Sequence, residues 1–416
     1  KSRGESVVLR LTLRYGDVKS LHGKTTLCEF LPPMMTRGTE KFSRQELKDE
    51  LDRNFAQLSG SGSAGSATFS LKTKRKNLPR AIELLGQVLR YPTLPESELE
   101  VIRSQQISIM EESLVEPQVL ARRSAQRKIS PYEKGHPLYQ PTLEEEIEFV
   151  KAASREQLEQ LYADFLSGAH GELTIVGDFD PDTTMASLKP VLGGWTAKQP
   201  YERLRRTADI ELKASTEDIN TPDKASAMYF AATVFPLRDE SPEYPALLVG
   251  NHILGGGALA NRLGNRVRQK DGLSYGIRSG LSVSSLDDRT VFYIYAISNP
   301  GNMDKVKAAI REELDLLRKD GVTDEELNAA KNGWLQSREV SRGSESSLAS
   351  ILAETSFSNR TMGFHSRLET KVRSVTAEQV LETVRKYLDP ERIVIVAAGD
   401  FEKAKEEAPE PPEETP

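Results

Sequence analysis

Few side chains in this sequence have the type and spacing that chemistry requires. The five histidines, His22, His136, His170, His252 and His365, are never three to five residues apart, so no helix can present a His pair to zinc. Taken singly they read as surface or loop histidines. Cys28 is the one cysteine; its apolar context is that of a packed thiol rather than a nucleophile, and the chain can form no internal disulfide. No Gly-x-Ser-x-Gly elbow is present. Gly60-x-Gly62-x-x-Gly65 formally fits a dinucleotide fingerprint, which needs a strand before it and a helix after it. Here a helix pattern precedes and a strand pattern follows, so the expectation is a flexible link. "LGGGALANRL", with Gly255, Gly256 and Gly257, lacks the Gly-Lys-Ser/Thr ending of a phosphate loop and reads as a hinge or a close backbone approach. "RVRQKDGLSYGI" puts Arg268 at a helix end and Tyr275 at a strand start, with a Gly272 turn between them. That turn could bring both to one side; a helix-terminal cation and a half-buried tyrosine is the plainer reading.

The elements that must position these groups recur in two halves. In the first, "SVVLRLTLRYGDV" reads as a strand and turn, and the segment Gly23–Met35 follows it. Ser43-x-x-Glu46 caps a helix with Leu47, Leu51, Phe55 and Leu58 on one face. A strand "SATFSLKTK", helices near 78–91 and 96–114, a helix capped by Ser154-x-x-Gln157 and the strand "GELTIVGDFD" complete the half. In the second, the strand "ASAMYFAATVF" leads to helices through 244–270 and strands "LSYGIRSGLSV" and "DRTVFYIYAIS". Helices follow from near Asn302, at Thr323-x-x-Glu326 and at Thr376-x-x-Gln379, and the strand "ERIVIVAAGDF" ends the half. Gly177-Asp178-Phe179 matches Gly399-Asp400-Phe401 at an offset of 222, and Glu98 matches Glu326 at 228. The fold expected is α+β, with two similar α/β domains from an internal duplication, each a mostly antiparallel sheet packed with helices. The domains fall at 1–196 and 226–402, joined by a polar connector at 197–225 and followed by an acidic, proline-rich tail at 403–416 expected to be disordered.

With 416 residues, 38% hydrophobic and 28% charged, the composition is that of a globular protein of several domains. No apolar run approaches the roughly 20 residues that span a bilayer, so no membrane insertion is expected. The net charge of −6, with Lys and Arg scattered, argues against a nucleic-acid partner.

These segments together resemble the pitrilysin/insulinase family of zinc peptidases, the inverzincins, over nearly the whole chain from Ser6 to Phe401. Active members carry His-x-x-Glu-His on a helix, followed by a basic residue and Gly-Thr. Aligned on Arg37-Gly38-Thr39, this chain has Glu29 at the first His position, Pro32 at the general-base Glu and Pro33 at the second His. Glu111 and Glu112 lie near the place of the third ligand. The resemblance implies a helix that has lost its metal site and that the two prolines kink or end. It also assigns Arg268 and Tyr275, with Gly255, Gly256 and Gly257, to substrate binding opposite the zinc. The implied protein is a zinc-less subunit, or one half, of a clamshell peptidase. It would bind unfolded peptide but no cofactor of its own, and zinc would sit in a homologous His-x-x-Glu-His partner. A structural subunit without proteolytic role is the alternative, and an autonomous hydrolase with another metal site the third reading. The compartment expected is the periplasm, with the cytoplasm as alternative.

Overall fold

The structure, a computed structural model, describes residues 4–257 and 261–406, so the tail from 407 and Ala258–Ala260 lie outside the described residues. Two compact units account for the chain: Lys1–Met110 with Tyr132–Arg205 and Arg338–Phe364, and Glu111–Pro131 with Arg206–Ser337 and His365–Pro416.

In the first unit β1 (Ser6–Arg14), β2 (Gln57–Ser63), β3 (Ser66–Lys74) and β4 (Gly171–Gly177) form an antiparallel sheet of order β2-β3-β1-β4. Its centre is fixed by the sequence of β1: Val7, Leu9, Leu11 and Leu13 on one face and Val8 and Thr12 on the other are all buried. Such two-sided burial is what a leucine- and valine-rich strand requires. The helix Thr25–Met35 packs on β2, the helix Leu78–Arg90 on β3, and the helix Glu345–Phe357 on β4 and β1.

The glycine- and serine-rich stretch expected to be a flexible link is instead the strand β2, at the sheet edge. Its glycines permit direct contact with the neighbouring helix. A Cβ on Gly62 would lie 1.9 Å from the Cys28 carbonyl oxygen, and one on Gly60 2.4 Å from that of Pro32. Only a residue without a side chain fits there. The two prolines also behave otherwise than expected, because the helix continues through Pro32 and Pro33 to Met35. Pro32 has no N–H to give the Cys28 carbonyl, and that carbonyl faces Gly62 instead, a backbone contact of the Cα–H···O kind. The capped helix Arg44–Arg53 is shorter than its pattern: Leu47 is buried, Phe55 lies beyond the end with φ +48° and is exposed, and Leu58 belongs to β2.

In the second unit β5 (Ser215–Asn220), β6 (Ala227–Phe235), β7 (Ser274–Val283), β8 (Thr290–Ser298) and β9 (Val394–Gly399) run in the order β5-β9-β6-β8-β7. Only the β5–β9 pair is parallel. β5 lies inside the polar connector segment. β6 is buried along its whole length, as its unbroken apolar sequence demands. One face packs on the helices Tyr244–Asn251, Met303–Asp320 and Ala377–Tyr387. The sheet's other face, with Phe230 and Val234 of β6 and Val396 and Ala398 of β9, packs against Ala121 and Ala125 of the helix Pro117–Lys128 and against Ile129 just beyond it.

Each unit therefore draws one covering helix from the other half of the sequence. Thr174 Oγ1 donates to the Ala349 carbonyl at 3.0 Å, and the Arg14 guanidinium lies 3.3 Å from the Phe357 ring centroid while bonding Glu172 at 2.9 Å. In the second unit Ser124 Oγ donates to Glu217 at 2.6 Å. The two helices are counterparts: Ala121 and Ala125 correspond to Ala349 and Ala353 at an offset of 228 (349 − 121). The small side chains let each helix lie close to its sheet.

Candidate functional site

The glycine loop is held by the strand it approaches. After the buried helix Tyr244–Asn251, residues His252–Gly256 and Gly264–Lys270 wind as wide π-helical turns, a form common at functional sites. A Cβ on Gly255 would lie 2.7 Å from both the backbone N and the Oγ of Ser279 on β7, so glycine is required. Ser279 Oγ donates to Asn251 Oδ1 at 2.8 Å, fastening the helix end to the strand. Asn261 Nδ2 donates to the Gly257 carbonyl at 2.7 Å, closing the far side of the loop. Asn251, Asn261 and Ser279 carried no sequence signal, because their role is visible only once β7 lies beside the loop.

The arginines of this segment divide into two kinds. Arg262 makes a bidentate pair with Glu326 at 2.7 and 2.8 Å and donates to the Gly321 carbonyl at 2.8 Å. The pair holds the Glu326 carboxyl below the usual range. Arg266 bonds Asp271 and reaches Glu312 at 3.0 Å. Both are structural. Arg268 is exposed and makes no hydrogen bond or ion pair among the described residues. Gly272, at φ +63°, then turns the chain into β7.

Tyr275 sits on an irregularity of β7. The register passes from Ser274 opposite Ser298 to Gly276 opposite Ile297, so Tyr275 is the extra residue of a β-bulge, a device that re-aims a side chain. It is 69% exposed, and its hydroxyl has no partner among the described residues. Burial lowers the pKa of His252, at the loop entrance, from its ordinary value.

The helix Thr25–Met35 offers a metal little. Glu29 is exposed, Pro32 buried and Pro33 half-buried, and neither proline has a side-chain donor atom. Among the described residues no group of three or more His, Cys, Asp or Glu side chains could hold a metal ion. The donor set does not fit zinc. Arg37 bonds Glu98 at 2.8 Å and Thr39 is buried, so the Arg-Gly-Thr ending serves packing. Burial pushes the Cys28 thiol up to about 11, which keeps it protonated and unreactive. Glu111 and Glu112 are exposed at the end of the helix Glu96–Ser113.

Fold and site together define a protein of duplicated α+β architecture in which no cluster of metal-ligating side chains is found among the described residues. Residues 12–142 match the family described as "Insulinase (Peptidase family M16)", and residues 152–333 match "Peptidase M16 inactive domain". The chain belongs to this insulinase, or M16, peptidase family. It is 22% identical over 308 residues to the "Uncharacterized zinc protease YmxG" of Bacillus subtilis, covering 73% of this chain and 71% of that one. It is 24% identical over 389 residues to the mitochondrial-processing peptidase subunit beta of Bos taurus, covering 90% and 76%. A crystal structure of a peptidase M16 inactive domain from Pseudomonas fluorescens superposes with a TM-score of 0.81 at 22% identity, covering 95% of this chain and 93% of that one. No helix among the described residues is long and apolar enough to cross a membrane.

Proposed function

We propose that this chain is the zinc-less subunit, or half, of a two-part zinc metallopeptidase. Its companion has the same fold and carries the His-x-x-Glu-His motif. The chain binds an unfolded peptide through Arg268, Tyr275 and the Gly255–Gly257 loop. One observation carries the reading: Arg268 and Tyr275 are exposed and unengaged among the described residues, while Arg262 and Arg266 beside them are tied into ion pairs. Peptide hydrolysis builds negative charge on a carbonyl oxygen, and a guanidinium and a phenol are suited to bond it. In this reading zinc and its activated water belong to the companion, because the donors at Glu29, Pro32 and Pro33 fit no metal. The zinc-protease and peptidase-subunit names of the relatives support pairing with a homologous chain.

The test is reconstitution with the His-x-x-Glu-His homologue from the same source. Zinc-dependent cleavage should require both chains. Arg268→Ala and Tyr275→Phe should each lower turnover by roughly tenfold or more while the pair still co-elutes. Full turnover in both variants would remove the claim for these residues. We also place the chain in the periplasm, on its resemblance to bacterial members of the family; recovery in a cytoplasmic fraction would overturn that.

A further inference from the structure

The bulge at Tyr275 has a geometric effect on the next charged residue of the strand. In an unbroken strand, residues three apart point to opposite faces. The extra residue at Tyr275 changes the count, so Tyr275, Gly276 and Arg278 share the face of Ile297 and Tyr295, their neighbours on β8. Burial follows the same division: Ser274, Ile277 and Ser279 are buried, while Tyr275 and Arg278 are exposed.

Arg278 stands directly opposite Tyr295, and its side chain makes no hydrogen bond or ion pair among the described residues. Next to it Gly280 leaves room for Tyr293, whose hydroxyl lies 2.4 Å from where a Cβ would stand. Phe230 stacks on the Tyr293 ring, with centroids 5.9 Å apart and planes at 6°, which fixes that ring. On this sheet face the helix Pro117–Lys128 packs on β5, β6 and β9, while Tyr293, Tyr295 and Ile297 of β8 are half-buried. Arg278 thus stands on the sheet face of Tyr293 and Tyr295, the strand and face that carry Tyr275.

We infer that Arg278 is a further substrate-binding residue, which takes a carboxylate of the bound peptide beside Tyr293 and Tyr295. The guanidinium is a planar fork of donors with no acceptor, and a carboxylate is the acceptor-only group that matches it in two bonds. In an unmodified peptide that group is an acidic side chain or the C-terminus. The inference rests on the peptide-binding reading above and specifies the chemistry it selects.

The experiment measures binding of a short, unstructured fluorescent peptide to the full chain by anisotropy. The peptide is made in four forms, with Asp or Asn at one internal position and a free or amidated C-terminus. Wild-type protein should lose about tenfold in affinity when one of the carboxylates is removed, and the form responsible identifies the source. Arg278→Gln should abolish that sensitivity, yet bind the form lacking both carboxylates as wild type does. Arg278→Lys should keep part of the preference, and thermal melts should show both variants folded. Equal binding of all four forms by wild-type protein, or an unchanged preference in Arg278→Gln, overturns the inference and leaves peptide binding standing. If wild-type protein binds none of the forms, the peptide-binding reading itself fails, and this inference with it.

Discussion

Replacing Gly62 by alanine tests the contact that defines β2. The new Cβ would stand 1.9 Å from the Cys28 carbonyl oxygen and 3.0 Å from Pro32 Cδ, with β2 held to β3 from Gln57 through Ser63. The first obstacle is backbone, so no rotamer relieves it. The helix Thr25–Met35 must move from the strand by about 1 Å, the gap to the 3.0 Å below which Cβ atoms essentially never approach. That helix buries Leu27, Phe30, Leu31, Met34 and Met35, so moving it opens the core beneath. Overpacking of this kind costs about 3 kcal/mol or more. At about 2–4 °C per kcal/mol for a unit of this size, calorimetry should show the first unit's transition falling by roughly 6–12 °C. Ser61→Ala, one residue away and exposed, should shift it by less than about 2 °C. A Gly62→Ala protein that melts with Ser61→Ala would refute the backbone-contact account of the strand.

Glu326→Gln removes one side of the bidentate pair with Arg262 and should lower the second unit's stability by about 1 kcal/mol, a low value because both groups are partly solvated. The Glu326 carboxyl is held below its ordinary 4.5, mainly by Arg262. Its contribution is therefore present above that pH and fades as pH falls through the lower native value; a stability gap to the variant that persists in strong acid would contradict this. His252 is depressed below 6.5 by burial, so the native state takes its proton less readily than the unfolded chain does. Wild-type stability should then decline from about pH 6.5 downward more steeply than that of His252→Gln, and parallel declines would count against the buried imidazole. A single proteolytic cut within 198–214 should leave the two pieces co-eluting in gel filtration, since each unit includes a helix from the other piece; separate elution would show that the lent helices are dispensable.

What was legible in the sequence was what local chemistry decides. Ser43-x-x-Glu46, Ser154-x-x-Gln157 and Thr376-x-x-Gln379 each form the reciprocal cap their spacing announces. The strands β1, β3, β6 and β8 lie where their apolar or alternating patterns put them. The failures share a cause: their reasons lie across space. β2 is glycine and serine because a helix backbone lies against it, and no strand propensity reveals that. The helices Pro117–Lys128 and Glu345–Phe357 bury mainly alanine, so no leucine stripe marks them. β5, "STEDIN", is polar because it is an edge strand. At the site, the residues around Arg268 and Tyr275 were readable as a turn between helix and strand. Arg278 was not, because its facing depends on a register slip that spacing alone cannot show.

The reciprocal loan of helices also orders events during synthesis. The four strands of the first sheet have all left the ribosome by Gly177, yet the helix that covers β1 and β4 begins only at Glu345, 168 residues later (345 − 177). At roughly 5–20 residues per second, the nascent chain carries that sheet face, with Val8, Thr12 and Thr174, uncovered for about 10–30 seconds. Meanwhile Pro117–Lys128 waits for strands not yet translated. Neither unit can be finished before the late elements Glu345–Phe357 and β9 have been translated, so each half must wait for the other to close its sheet.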